Sequence, residues 1–238
     1  MTVIRRFIKS SFLFLVGVGV LYAARPMNTD DGRIVDTNSC QLESWIKHGQ
    51  DSEFWAMPAC NFLLDSEITL GGNITRESQM DTKAYMVLAL KKIFFDLEND
   101  GFSYGFALGN VQKNLKDNDS VYGYLLFSKA YRENRLFLHS NLGVRAQVLP
   151  TQRAATRSKI YNLGLGIEYD VNEYIWLMAE TFYESSLPTP AYQLGIRIWL
   201  ARDMLQIDCT YGNDFLTPFN ASNSFVSLGL RVLSQQLF

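Results

Sequence analysis

Few residues of this chain are of the types that perform acid–base or nucleophilic chemistry. The 238 residues include two histidines, His48 and His139, and His139 is followed directly by Ser140. Adjacent residues of a strand point to opposite faces. A catalytic His–Ser pair on one strand therefore needs a spacing of two, which places both side chains on the same face. The sequence therefore predicts no catalytic residues and no enzyme, and His139 is interpreted as a hydrogen-bonding residue beside Asn141.

The composition also argues against a metal, a cofactor or nucleic acid as a partner. Two histidines and three cysteines leave little material for a zinc site. The sequence contains no phosphate-binding glycine loop and no dinucleotide fingerprint. The 22 basic and 24 acidic residues give a net charge of −2, without the basic excess that binds phosphate backbones. We expect no bound metal or cofactor and no nucleic-acid partner.

The cysteines give a testable register. A hairpin centred on Gln50 pairs residues whose numbers sum to 100, which places Cys40 opposite Cys60. We expect a cross-strand disulfide between them at a periplasmic strand end, and the alternative is two free thiols. Cys209 is in line with Ile207 and is expected to face lipid as an ordinary apolar residue.

Isolated charges recur on one face of the predicted strands. If Arg202 and Asp203 form a two-residue turn, then Arg197 lies opposite Asp208 on the neighbouring strand. Asp65 is expected to share the same interior. The residues predicted to line this interior are Glu67, Lys91, His139, Asn141, Arg145, Glu168, Glu180, Arg197, Asp208 and Arg231. Two interpretations stay open: a lined channel or binding site, and a salt-bridged plug of side chains.

An alternation of period two predicts the strands that carry these side chains. In one example Leu163, Leu165 and Ile167 alternate with small or polar residues. The opposite face holds glycines, aromatics and single charges, which suits a crowded lumen better than open solvent. About twelve such strands are predicted, near 41–48, 53–60, 64–71, 80–95, 101–110, 120–130, 135–146, 158–169, 174–184, 191–200, 204–211 and 224–234.

The connections between these strands alternate in length from the third strand onward. Long connections are predicted at 72–79, 111–119, 147–157 and 212–223, a moderate one at 185–190, and short ones at 96–100, 131–134, 170–173 and 201–203. Such sorting is typical of barrels with short periplasmic turns and longer outer loops. Hydrocarbon offers no hydrogen-bond partners, so a sheet that crosses it must close on itself. The predicted fold class is an all-β antiparallel transmembrane β-barrel.

The chain begins with features of an export signal. Basic residues precede an apolar run from Ser11 to Leu21, and Ala23 and Ala24 then offer small residues for cleavage. This pattern predicts a signal peptide over 1–24, with an uncleaved anchor as the alternative. Residues 25–39 are then expected to form a periplasmic segment, and 40–238 the barrel, with a last strand that ends near Leu233. We expect an outer-membrane location in a Gram-negative bacterium. The expected partners are outer-membrane lipid, lipopolysaccharide, the barrel assembly machinery and a small solute.

Several short motifs resemble a group of small proteobacterial outer-membrane proteins. They are Arg25-Pro26-x-x-Thr29-Asp30-Asp31, Cys40-Gln41-x-Glu43, Leu138-His139-x-Asn141-Leu142-Gly143, Ala179-Glu180, Gly195-x-Arg197 and Gln206-x-Asp208-x-Thr210-Tyr211-Gly212. The group includes transporters associated with phenol-degradation clusters and is distantly similar to fatty-acid channels. The resemblance implies an outer-membrane barrel and the passage of small hydrophobic or aromatic compounds. It assigns no binding residues.

Three functional interpretations remain at this point. The first is a passive outer-membrane channel or transporter for a small solute. The second is a closed structural or adhesive barrel in which the outer loops interact with partners. The third is a secreted or periplasmic β-sandwich that binds a ligand.

Overall fold

The molecule is a closed antiparallel barrel of twelve strands. The computed structural model describes residues 27–63, 65–77, 81–115, 117–149, 156–213, 223–234 and 237. Each strand pairs with its neighbours in sequence, and β1 pairs with β12 to close the sheet. The strands are β1 Cys40–His48, β2 Ser52–Leu63, β3 Ser66–Arg76, β4 Thr82–Ile93, β5 Phe102–Lys113, β6 Asp117–Tyr131, β7 Leu136–Leu149, β8 Thr156–Asn172, β9 Ile175–Glu184, β10 Ala191–Ala201, β11 Leu205–Asn213 and β12 Ser224–Leu233. The predicted fold class is confirmed, and the β-sandwich alternative is wrong.

The period-two pattern separates an apolar outer face from a polar inner face. Leu163, Leu165 and Ile167 are exposed on the outside of β8, as their alternation predicts. Glu168 on the same strand is buried inside. This arrangement is the reverse of a water-soluble protein, and it matches a wall between hydrocarbon and a lumen.

Two predicted registers are confirmed. Cys40 pairs with Cys60 in the β1–β2 ladder, and the two form a disulfide. Arg197 pairs with Asp208 in the β10–β11 ladder, with their side chains on the inner face. The free Cys209 is exposed on the outside. Because side chains alternate strictly along a strand, one correct pairing fixes the orientation of the whole hairpin.

The two ends of the barrel differ in their connections. The end where β1 begins and β12 ends is called the terminal end, and the opposite one the far end. At the terminal end, residues 94–101 connect β4 to β5 and form a longer loop than the short turn expected at 96–100. At the far end, β5 and β6 extend so far that only 114–116 remain of the long connection expected at 111–119. Asn114 and Leu115 take positive φ angles in this tight turn.

Exposed aromatic residues lie near both ends of the outer face. Phe94, Phe95 and Tyr104 form a group of contacting rings at the terminal end, and Tyr161 and Tyr183 are exposed toward the far end. Aromatic rings at both boundaries of an apolar band are typical of membrane interfaces. In the described residues, no helix is long and apolar enough to cross a membrane.

The described residues that precede β1 lie inside the barrel. Residues 27–39, here called the N-terminal segment, were expected to be part of a periplasmic segment at 25–39. Instead, Thr29, Asp30 and Val35 are buried, and the segment contacts side chains of β2, β3, β4, β6, β7, β8 and β9. A turn at Asp36–Ser39 reverses the chain and leads into β1. The predicted signal peptide at 1–24 lies outside the described residues and stays a prediction.

Candidate functional site in the lumen

All ten residues predicted to line the interior lie at inward positions of their strands. Eight are buried: Glu67, Lys91, His139, Asn141, Glu168, Glu180, Arg197 and Asp208. Arg145 and Arg231 are partly buried. Asp65 does not join them, because it lies in the β2–β3 turn with its side chain exposed. Most of the predicted residues belong to two groups of contacts, one within the wall and one between the wall and the N-terminal segment. Arg145 and Arg231 lie outside both groups, and Arg231 contacts Gln41 and Glu43 of β1.

The first group, called the wall cluster, links β8, β10 and β11. Arg197 Nε lies 3.1 Å from Asp208 Oδ1, and Arg197 Nη1 lies 2.9 Å from Glu168 Oε1. Gln206 Nε2 donates to both carboxylate oxygens of Asp208 at 2.9 Å. Asp208 has no exposed surface, so its charge depends entirely on these partners.

The second group holds Asp30 of the N-terminal segment. Lys91 Nζ donates to Asp30 Oδ1 at 2.8 Å, and the Tyr124 hydroxyl donates to Asp30 Oδ2 at 2.6 Å. Lys91 also lies 3.5 Å from Asp31. Hydrogen bonds to a charged carboxylate are among the stronger polar contacts in proteins. Asp30 therefore attaches the segment to β4 and β6.

Wall side chains also bind the main chain of the segment. Glu180 accepts the N–H groups of Asn28 and Thr29 at 2.8 and 2.7 Å. The Asn141 amide accepts the N–H of Asp30 at 2.5 Å and donates to its carbonyl at 2.9 Å. This pairing is the one that a neighbouring β-strand would offer, supplied here by one side chain.

Nearer the terminal end, Val35 is held in the same way. Its N–H donates to Glu67 Oε2 at 3.2 Å, and its carbonyl accepts from Asn61 Nδ2 at 2.9 Å. The main-chain groups of Asp30 and Val35 are thus satisfied by wall side chains and not by a neighbouring strand.

Arg33 connects the segment to both the wall cluster and the β4–β5 loop. Its Nη1 donates to Glu168 at 3.0 Å, and its Nε donates to Glu98 at 3.2 Å. The guanidinium carbon lies 4.4 Å from the centre of the Phe137 ring and 5.5 Å from that of Trp176. Burial alone would lower the pKa of Arg33, but the carboxylates of Glu168, Asp31 and Glu98 raise it above its ordinary value. Arg33 therefore stays charged in the lumen.

The N-terminal segment packs against the wall and borders two cavities of very different size. A cavity between the segment and the wall, next to Thr29, Lys91 and Glu168, has a volume of about 30 Å³. That volume holds roughly one or two water molecules. Beyond it, a cavity of about 700 Å³ opens toward the terminal end, with Arg33 and Asp36 of the segment in its lining. Arg33 contributes to the lining of both cavities, so the segment forms part of the boundary between the smaller cavity and the larger one, here called the vestibule.

The β4–β5 loop narrows the vestibule with an apolar contact. Leu97 is almost fully buried and packs with Phe137, Trp176 and Trp199 of the inner wall. Asp96 shapes the loop by accepting the N–H groups of Glu98 and Asn99. The loop thus lies across the mouth of the barrel and places Glu98 beside Arg33.

His139 contacts a serine, although not the adjacent one. Its Nδ1 lies 2.7 Å from Ser128 Oγ, across the β6–β7 ladder, and its Nε2 lies 3.7 Å from Glu168. Ser128 is fully enclosed, and a side-chain carbon at Gly32 would lie only 2.9 Å from its oxygen. This trio fixes the packing of the segment and does not present an accessible nucleophile in this arrangement.

The far half of the lumen contains different contacts. Arg145 Nη2 binds Glu184 at 2.9 Å. The rings of Trp45 and Trp55 stack with centres 5.2 Å apart. These contacts join wall residues to one another and do not include residues 27–39. Within the described ranges, no three His, Cys, Asp or Glu side chains converge as ligands for a metal ion.

The sequence matches one protein family over nearly its whole length. The family is described as "Uncharacterised conserved protein UCP029691", and the match covers residues 13–232. The chain belongs to this family. A comparison with curated proteins gives no match.

Several solved structures that are similar to this family member are porins. A NanC porin has a TM-score of 0.61 at 9% identity, covering 83% of this chain and 100% of that one. A KdgM porin has a TM-score of 0.59 at 11% identity, covering 82% and 98%. A KdgM porin in complex with disordered oligogalacturonate gives 0.58 at 11% identity, with the same coverage. At these identities the likeness shows the barrel fold alone.

Several residues of the site in this family member were missed by the sequence analysis. Tyr124, Phe137 and Trp176 lie on the inner face. The alternation of inward and outward side chains along their strands could have predicted this position. Asp30 and Arg33 belong to no strand, so the alternation of faces along a strand cannot predict where they lie. Their signal was the charged run Asp30-Asp31-Gly32-Arg33 between an apolar leader and the first strand.

Proposed function

We propose that this protein is an outer-membrane β-barrel that passes small polar solutes when the N-terminal segment moves from the lumen. The observation that carries the proposal is a closed sheet with an apolar exterior and a charged interior. An exposed apolar band is stable only against lipid, and buried charges serve no packing purpose that apolar side chains would not fulfil. A non-enzymatic, passive role is part of this proposal.

The location follows from the same observation. Closed β-barrels that cross a bilayer belong to outer-membrane-type systems, with aromatic girdles at both interfaces. We therefore propose the outer membrane of a Gram-negative bacterium, with lipid and lipopolysaccharide around the barrel and the barrel assembly machinery as the insertion partner. The signal peptide at 1–24 is part of the same proposal.

The lumen favours a polar solute over a hydrophobic one. Charged or amide side chains line most of the inner positions near the segment, such as Lys91, Asn141 and Glu180. The main apolar patch of the terminal half is the Leu97 contact at the mouth. The passage of hydrophobic or aromatic solutes, which the resemblance to phenol-related transporters implies, remains a prediction. The polar lining does not favour it.

A closed structural or adhesive barrel is the second candidate. It is favoured by the many wall contacts of the segment and by the small volume, about 30 Å³, of the cavity between Thr29, Lys91 and Glu168. The two candidates differ in one respect, which is whether the segment can leave its position. An experiment that fixes the segment covalently therefore tests both.

Thr29 and Gly166 offer a site for such a covalent bond. A side-chain carbon built at Gly166 lies 3.5 Å from Thr29 Cβ, which is within the range for disulfides. The Thr29→Cys and Gly166→Cys double variant should show no solute conductance in planar bilayers when oxidised, and openings should return after reduction. The wild-type protein, treated with the same reductant, controls for the native Cys40–Cys60 disulfide.

Two outcomes would contradict the proposal. If the oxidised double variant conducts as well as the wild type, solutes do not depend on movement of the segment. If wild type, single variants and the reduced double variant are all silent, the closed barrel is the better description.

A further inference from the structure

We propose that the lumen is a peptide-binding site, which the chain's own N-terminal segment occupies in cis. The ligand class is an extended peptide with an acidic residue followed by glycine at the second and arginine at the third position, as in Asp30-x-Gly32-Arg33. The proposal concerns binding, and it does not require that any solute passes through the barrel.

Recognition of the main chain is the first line of support. Glu180, Asn141, Glu67 and Asn61 bind main-chain groups of the segment, and they come from four different strands. Such contacts are independent of the ligand's side chains, as in sites that bind extended peptides. The wall therefore contains preformed partners for a peptide backbone.

The second support is a pocket for an acidic side chain. Lys91 and Tyr124 donate to different oxygens of the Asp30 carboxylate. Asn141 holds the main chain of the same residue. A carboxylate bound on both oxygens, with its backbone fixed by a third residue, has a defined position and orientation.

The third support is a steric requirement for glycine. A side-chain carbon at Gly32 would lie 2.8 Å from Ser103 Cβ and 2.9 Å from Ser128 Cβ. Both serines lie on strands and are fully buried, so the wall cannot easily give way. The lumen accepts only glycine at this position without rearrangement.

The fourth support is a pocket for a guanidinium group. Glu168 binds Arg33, and the rings of Phe137 and Trp176 lie against the guanidinium. A carboxylate and aromatic faces suit the planar arginine group better than a lysine ammonium. The acidic and basic pockets are three residues apart along the ligand. They therefore determine the direction in which a peptide binds and the spacing between its acidic residue and its arginine.

The segment is held mainly as a ligand would be, by polar contacts. Among residues 27–39, Val35 is the one residue with an apolar side chain whose exposed fraction is below a tenth. Within the described part of the segment, main-chain hydrogen bonds to a strand occur only at the end next to β1, where Asn38 and Ser39 pair with Asn61 of β2; the part from residue 27 to 36 is held by side chains of the wall. Its binding thus depends on contacts that a second peptide can reproduce.

Binding can be measured with the full-length protein in detergent micelles. The Asp30→Lys and Arg33→Glu double variant, called the displaced variant, places like charges against Lys91 and Glu168 and should expel the segment. We expect a fluorescent peptide of residues 27–36 to bind this variant saturably in anisotropy measurements. The wild type should bind the peptide at least tenfold more weakly, because the cis segment competes for the site.

Matched controls test the individual pockets. A peptide with Gly32→Val, and a peptide of reversed sequence, should bind the displaced variant at least tenfold more weakly. Adding Lys91→Met to the displaced variant should also weaken binding at least tenfold. Arg145→Met is the control on the wall, because Arg145 binds Glu184 in the far half and should leave peptide binding unchanged.

If the displaced variant does not fold, the milder Asp30→Asn and Arg33→Gln variant serves with the same readout, and folding is checked by heat-modifiable migration in gels. A folded variant that binds no peptide, or binds the native and reversed peptides equally, overturns the proposal. A silent bilayer contradicts the channel function alone, whereas a conducting protein without peptide binding contradicts this inference alone.

Discussion

The two charge groups of the lumen differ in whether both partners belong to the wall. In the wall cluster, Arg197 and Asp208 are fixed by neighbouring strands and cannot separate while the sheet exists. In the other group, Lys91 lies on a strand, but Asp30 lies on a segment outside the sheet. The same kind of ion pair thus supports the barrel in one place and a removable occupant in the other. Breaking each pair should therefore have a different consequence.

The largest effect is expected from the wall cluster. Arg197→Ala leaves Asp208 buried without its cationic partner, which costs about 3–5 kcal/mol in the free energy of unfolding. Urea unfolding, followed by heat-modifiable migration, measures the change. Arg202→Ala, at an exposed turn position, is the control and should have little effect. An unchanged stability of Arg197→Ala would show that the wall does not depend on this cluster.

Moving an arginine to the outer face should cost somewhat less. Leu165→Arg places a charge against lipid near the middle of β8, with an expected cost of about 2–4 kcal/mol. Tyr161→Arg, closer to the far end of the same strand, should cost roughly 0–1 kcal/mol. Equal stabilities of the two variants would contradict the placement of Leu165 against the lipid interior and of Tyr161 near its boundary.

The smallest change in stability is expected from the segment. Asp30→Asn weakens the contact with Lys91, and the segment can leave so that Lys91 becomes hydrated. A hydrogen bond to a charged group contributes about 1.5–3 kcal/mol. The ratio of open to closed time in single-channel recordings should therefore rise about tenfold or more. The unfolding midpoint should hardly move. Asp36→Asn, in the exposed part of the segment, should change neither quantity. A large loss of stability in Asp30→Asn would mean that the segment is part of the core.

The sequence predicted the wall well because its information is local. On β8, the alternation of Leu163 and Leu165 with glycines determines both faces without knowledge of any partner. The Cys40–Cys60 and Arg197–Asp208 pairings followed from turn positions within single hairpins. Each of these inferences needed only residues close together in the chain.

The position of the N-terminal segment could not be predicted in this way. Val35 finds its partner Glu67 at a separation of 32 residues, and Asn28 finds Glu180 at 152. No periodicity connects such positions. The β4–β5 loop was misjudged for a similar reason, since burial of Leu97 depends on Trp176 and Trp199 from distant strands. Charged runs next to a strand pattern are therefore worth testing as occupants of the lumen.

The turn at Asp36–Ser39 has a consequence for assembly. It joins the segment directly to β1, which forms the seam with β12. A sheet that closes at this seam last encloses the segment as the wall forms around it. Insertion after closure would instead require the chain to pass the loop at 94–101. The order in which seam and segment come together during biogenesis thus decides whether newly made molecules start out sealed.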